Sequence, residues 1–274
     1  MSMGNRLRDQ KYDLDDTKMS FFSHLIELRV RLIYAMAAFL ACFFVGYYLA
    51  EPIFWFLVEP LRQLWNGQSD RQLIYTGLHE AFFTYIKVGF FFASCFSFPL
   101  VSMQVWLFIT PGLYKSERHA LLPFMVATPL MFLLGGGIVY YFVIPIAWKF
   151  FVSFEIVGSH SHLAMMLEPK VDQYLSLVMR LIFAFGVAFE LPILLILLAK
   201  YDIVNSRILK DKRKYFIVLA FVVAAIMTPP DVVSQVLLAV PIILLYEFSI
   251  FIAQFIENKR KENAKTAGCS GLMS

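Results

Sequence analysis

The sequence is short of charge. Asp, Glu, Lys and Arg make up 16% of its 274 residues, against about 25% in an ordinary soluble domain. The charges also stay out of long stretches of the chain, which excludes a water-facing surface over most of its length. Cysteine is scarce too. Cys42 and Cys95 lie inside apolar runs and Cys269 lies in the tail, so the spacing supports neither a disulfide framework nor a zinc site. His160 and His162 have no third ligand beside them, and no metal or other cofactor is expected. GxxxxGK[ST], HExxH and GxSxG are all missing, which removes a nucleotide-driven motor and the common hydrolases and points away from an enzyme. No pair of matching spans recurs, which argues against an inverted-repeat transporter. No cleavable signal peptide is expected, because the first apolar run follows a long charged leader.

What the sequence has is apolar length. Residues of the hydrophobic class make up 59%, and the mean hydropathy is +0.68. They come in solid runs rather than in alternation. A run of about 20 spans the hydrocarbon as a helix, whereas barrel strands alternate. The expected fold is therefore all-α: a polytopic membrane protein of six transmembrane helices with a concave intramembrane face. A polar leader (1–19) precedes a membrane domain (20–256), and a basic, disordered tail (257–274) follows. The spans fall at about 30–50, 81–109, 122–148, 174–199, 215–228 and 236–250, with the last two short. Span five has about 14 residues, or about 21 Å, against a core of about 30 Å. EPIFWFLVEPLRQLW in the first long loop reads as partly helical.

The formal charge of +4 is better explained by loops on one membrane face than by nucleic acid. Eighteen of the 24 Lys and Arg residues fall in the N-terminal segment, the 110–121 and 200–214 loops and the tail. The positive-inside rule puts both termini in the cytoplasm. Lys87, Lys149 and Arg180 lie near the outer ends of spans, where long cationic side chains snorkel.

Glu190, in FAFGVAFELPILL, is the clearest anomaly. An ionisable group inside a span costs roughly 2.5–3.5 kcal/mol on insertion scales, and Pro192 leaves the carbonyl of Ala188 without its helical donor. A structural glutamate satisfied by a neighbouring helix would explain it, but an apolar residue would pack better, which favours a functional role. Glu27 and Arg31 are spaced for a surface ion pair. Glu117 is placed to favour the first turn of span three, and Asp231 to cap span six, with Gln235 one turn later. On spacing alone these are structural.

Read in order, the motifs HLIELRVRL (24–32), EPL (59–61), QVWLFITPGLYKSER (104–118), YLSLVMRLIFAFGVAFELP (174–192) and MTPPDVVSQVLLAVP (227–241) resemble the TatC family, the core subunit of the twin-arginine protein translocase. The resemblance covers nearly all of residues 20–256. It implies a receptor for folded precursors with twin-arginine signal peptides, in a bacterial or equivalent organellar inner membrane. It also implies single-span partner subunits of the TatA and TatB type, a homo-oligomer within a larger complex, and energy from the proton-motive force. The acids that receive the signal arginines match Glu27 and Glu117, which reverses the spacing-only reading; guanidinium–carboxylate bonds are short and often bidentate. The family's other hallmarks match Arg29, Phe108, Pro60, Glu190, Asp231 and Gln235. Two rivals remain: a proton-coupled solute transporter with Glu190 as proton site, and an intramembrane enzyme. Both leave the acids at 27 and 117 unexplained.

Overall fold

The computed structural model describes residues 21–65, 71–109, 122–155, 167–200, 204–228 and 232–270. Among them it contains nine α-helices and no extended strand: α1 Phe21–Tyr48, α2 Ala50–Leu64, α3 Glu80–Ile109, α4 Leu122–Ile138, α5 Ile144–Val152, α6 Val171–Ala188, α7 Glu190–Lys200, α8 Ser206–Met227 and α9 Val232–Ser270. A π-helical turn, Val139–Val143, joins α4 to α5. Among the described residues five stretches are long and apolar enough to cross a membrane: Leu25–Tyr48, Glu80–Phe108, Pro123–Val152, Val171–Lys200 and Gln235–Lys259.

Two of the helix contacts close through residues without bulk. Gly46 of α1 meets α3 so closely that a Cβ there would lie 2.7 Å from the Phe92 ring. Phe39 and Phe90 pack edge to face along the same seam, with centroids 5.2 Å apart. Where α4 crosses α6, a Cβ on Gly135 would lie 2.7 Å from the Phe185 carbonyl oxygen, and one on Gly186 would lie 2.6 Å from the Phe132 ring. In lipid there is no hydrophobic drive between helices, so this close backbone approach supplies the packing energy. The buried stripe of α6, including Tyr174, Leu175, Val178 and Phe185, recurs at three- and four-residue steps and faces the core. α1 is different: Ile26, Leu32, Phe44 and Tyr48 are among its many large exposed side chains. That surface would be a liability in water but suits lipid.

α2 lies across one end of the bundle. Ala50, Leu57, Val58, Pro60 and Leu61 are its buried face. Pro60 has no N–H, so the Phe56 carbonyl four residues back loses its helical donor. The Tyr140 hydroxyl of the π turn donates to that carbonyl at 2.6 Å. Tyr174 of α6 donates to the next carbonyl, Leu57, at 2.9 Å. Nearby, Arg71 forms a two-point pair with Glu155, Nη2 to Oε2 at 2.7 Å and Nη1 to Oε1. Glu155 also accepts the Leu167 amide at 3.1 Å. A bridge between Ile74 and Lys170 lies alongside, so the segment before α3 is fastened to the one before α6.

α8 and α9 form an antiparallel hairpin. Phe216 stacks on Tyr246 with centroids 3.9 Å apart, and Arg213 pairs with Glu247 at 2.6 Å. Glu257 accepts both the amide and the hydroxyl of Ser206, each at 2.6 Å. The apolar part of α8 runs only from Tyr215 to its end at Met227. The sixth span differs from expectation. It is neither short nor followed at Glu257 by a disordered tail, because α9 continues unbroken to Ser270. The apolar residues Phe248, Ile250, Phe251 and Ala253 beyond Glu247 extend it, and Ile250 and Ala253 bury against Ala199 and Leu209.

Candidate functional site

Two clusters gather the residues singled out from the sequence. The first lies near the start of α1. Glu27 and Arg31 are one turn apart and form the ion pair that their spacing predicts, with Arg31 Nε donating to Glu27 Oε1 at 2.9 Å and Nη2 to the same oxygen. Both side chains are largely covered, at 19% and 21% exposure. Arg31 Nη1 reaches across to Gln104 Oε1 of α3 at 3.4 Å, the limit for such a bond. The pair therefore ties α1 to α3 rather than lying free on the surface. Its geometry is lopsided: both bonds fall on Oε1, and Oε2 is buried with no hydrogen-bond partner among the described residues. A carboxylate oxygen has room for two donors, so this acid keeps an unused, desolvated acceptor. Phe108 follows Gln104 by one helical turn and is half-buried. Arg29 is exposed, two residues from Glu27 and so on another face. Glu117 lies outside the described residues, so the convergence of the two acids remains an expectation.

The second cluster surrounds Glu190. The helix breaks at Phe189, whose amide still donates to Phe185 O at 2.9 Å, and Glu190 opens α7. The buried Pro192 has no amide to continue the α6 pattern. Glu190 is met by the Thr128 hydroxyl of α4, which in turn accepts from the Trp106 indole of α3 at 3.2 Å. Thr128 thus links this carboxyl to α4 and, through Trp106, to α3, so a neighbouring helix supplies part of what it needs. The rest is unmet: Glu190 Oε1 is buried with no hydrogen-bond partner among the described residues. The sequence reading missed Thr128 and Trp106. Polar groups in apolar runs were the available signal, since a buried indole N–H seeks an acceptor.

The residues expected at the other end of the bundle have structural contacts. Pro60 frees the carbonyl that Tyr140 takes. Gln235 Nε2 donates to Phe221 O at 3.1 Å, stitching α9 to α8. Lys87, expected to snorkel, pairs with Asp172. Asp231, His160 and His162 lie outside the described residues. Among the described residues no group of three His, Cys, Asp or Glu could hold a metal ion.

A family profile described as Sec-independent protein translocase protein (TatC) matches residues 23–241. Sec-independent protein translocase protein TatC of Magnetococcus marinus is 50% identical over 247 residues, covering 90% of this chain and 88% of that relative. The protein of the same name from Escherichia coli K12 is 38% identical, covering 90% of this chain and 92% of the relative. A crystal structure described as the twin arginine translocase receptor TatC superposes with a TM-score of 0.75 at 38% identity, covering 85% of this chain and 99% of that one. These matches give no support to the solute-transporter alternative.

Proposed function

The chain belongs to the TatC family of Sec-independent protein translocase proteins, and from that premise we propose that it receives twin-arginine signal peptides at the Glu27 end of the bundle. It is a membrane-embedded translocase component, and its family is not known for enzymes. The observation that carries the site is Glu27 Oε2, a buried carboxylate oxygen without a donor among the described residues. Leaving such a group unpaired costs about 1–3 kcal/mol, which an incoming guanidinium would recover. An arginine suits the position better than a lysine because it offers several donors in one plane. Glu117 takes the second signal arginine. Arg29 and Phe108 flank the peptide, one by charge and one by apolar contact.

On this reading the Glu27 end is cytoplasmic, six helices span an inner membrane, and both termini face the cytoplasm. Single-span subunits of the TatA and TatB type dock in the membrane, where Glu190 Oε1 awaits a polar donor from a partner helix. Copies of the chain assemble within the larger complex, and the proton-motive force drives export. Cysteine labelling at positions 210 and 234 tests the topology, which requires opposite sides. For the signal site, a twin-arginine peptide is titrated into detergent-solubilised protein with a twin-lysine peptide as control. Glu27→Ala and Glu117→Ala should each weaken arginine-peptide binding by about 1.5–3 kcal/mol, the worth of a hydrogen bond to a charged group. Unchanged binding by both variants defeats the assignment.

A further inference from the structure

At the Pro60 end, α6 borders an open cavity of about 770 Å3. Its walls include Trp148, Phe151, Leu177 and Met227. Its charged lining residues are Glu168, Lys170 and Arg180. Lys170 follows Glu168 by two residues near the start of α6, and its ammonium donates to Thr76 Oγ1 at 3.3 Å. These two opposite charges roughly offset each other. Arg180 lies nine residues into α6, about 14 Å along the axis from Val171. It is exposed, and among the described residues no hydrogen bond or ion pair engages it.

A guanidinium with no partner among the described residues, set that far along a span, is costly in hydrocarbon unless an anion comes to it. The cavity's other wall says which anion can arrive. Met227 and Thr228, the end of α8, line the same space. The apolar part of α8 is about 20 Å long, well under a bilayer core. A short helix draws the polar headgroup layer inward on its side, and Arg180 lies beside the place where it ends. A phosphate flanked by apolar, aromatic walls is the chemistry of a phospholipid rather than of a free ion.

We propose that this cavity binds one anionic phospholipid, with its phosphate on Arg180 and its acyl chains along Trp148, Phe151 and Leu177. The site lies at the opposite end of the bundle from Glu27, and it holds whether or not the signal-peptide assignment does. Arg180 fixes a lipid at the one flank where a short helix thins the bilayer, and so stabilises the distorted leaflet there.

The test uses the full chain in nanodiscs of mixed phosphatidylglycerol and phosphatidylcholine, with retained lipid identified by native mass spectrometry. The wild type should retain phosphatidylglycerol about fivefold over phosphatidylcholine, the preference one basic contact at a membrane surface supplies. Arg180→Gln should abolish the preference and Arg180→Lys should keep part of it. Lys149→Gln, which removes an exposed cation of α5, should change nothing. Leu177→Trp fills the cavity while leaving the guanidinium in place, and should reduce retention of both lipids. Equal retention of phosphatidylglycerol by wild type and Arg180→Gln overturns the site. If inorganic phosphate strips the bound lipid as well as short-chain phosphatidylglycerol does, the acyl contacts contribute nothing and the phospholipid assignment fails. A photocrosslinker at position 177 that captures signal peptide in place of lipid overturns it equally.

Discussion

The Tyr140 hydroxyl donates to the Phe56 carbonyl at 2.6 Å, and its ring stacks on the Phe56 ring with centroids 4.5 Å apart. That carbonyl is available only because Pro60, four residues on, has no amide to offer it. The proline and the tyrosine are therefore one device. Tyr140→Phe should destabilise the protein by about 1 kcal/mol, the net worth of one hydrogen bond. In a Pro60→Ala background the new amide at position 60 supplies the donor, and the tyrosine change should cost less. A double-mutant cycle on unfolding in detergent measures the coupling. Additive costs would mean that the two residues act independently.

The three consecutive glycines of α4 should not respond alike. At Gly135 a new Cβ meets backbone, the Phe185 carbonyl oxygen at 2.7 Å, which cannot swing aside. Gly135→Ala should cost about 1–3 kcal/mol, as overpacking does. A Cβ on Gly137 meets nothing within 4 Å. Gly137→Ala should be neutral or stabilise by up to about 1 kcal/mol through helix propensity. Gly136→Ala, with Ile182 Cγ2 at 3.3 Å, should fall between them. Thermal denaturation of the three variants gives the order.

The helices were legible in the sequence because lipid leaves the backbone one choice. Apolar length therefore pointed to helices where α3, α4 with α5, and α6 with α7 run. The ion pair of Glu27 with Arg31 followed from i,i+4 spacing alone. What spacing could not show is where the pair points. Gln104 joins it from a helix more than seventy residues away, and the empty Oε2 is a property of the packed site. The sixth span, expected at about 236–250, contains Glu247 and runs on past it to Lys259. In the structure Arg213 neutralises that acid, so it does not stop the helix. Thr128 and Tyr140 were hidden for a simpler reason: their importance lies in carbonyls and carboxyls supplied by distant turns.

The clasp between Arg71 and Glu155 should loosen in acid. The hydrogen bond from Arg71 holds the Glu155 carboxyl below its ordinary value of 4.5, and the Leu167 amide helps. The folded state thus binds this proton more weakly than the unfolded chain does. The clasp's contribution is full above about 4.5 and is lost as pH falls through the lower folded value. Hydrogen exchange at the Ile74 and Val171 amides, which bond across the same seam, should accelerate relative to intrinsic rates as pH drops below 4.5. Glu155→Gln should accelerate it at neutral pH and flatten the dependence. A flat profile in the wild type would rule the clasp out.

Glu190 should divide export from recognition. Its unpaired Oε1 lies away from the Glu27 cluster, so Glu190→Ala should leave signal-peptide affinity within about twofold, below the roughly 1.4 kcal/mol that makes a tenfold change. Export in membranes containing the single-span subunits should fall severalfold, and Glu190→Gln should retain part of it because the amide still bonds. Thr128→Val should also lower export by disturbing the carboxyl's orientation. Crosslinks from position 190 should reach a partner helix. Crosslinks to lipid alone, or normal export by Glu190→Ala, would leave Glu190 a purely structural acid.

The π turn at Val139–Val143 sets a counting constraint on the third span. Phe132 and Trp148 are both buried, at 2% and 8% exposure, yet sixteen residues of regular α-helix would turn them roughly 160° apart. One surplus residue absorbed in a wide turn reduces the effective count to fifteen and the angle to roughly 60°. The turn is a phase correction, letting Phe132 address Gly186 at one level while Trp148 stacks on Tyr174 at another. Deleting any residue between 133 and 147 would have to remove this bulge or rotate one of those rings toward lipid. Insertions and deletions among relatives should therefore gather in the connecting segments and spare this stretch.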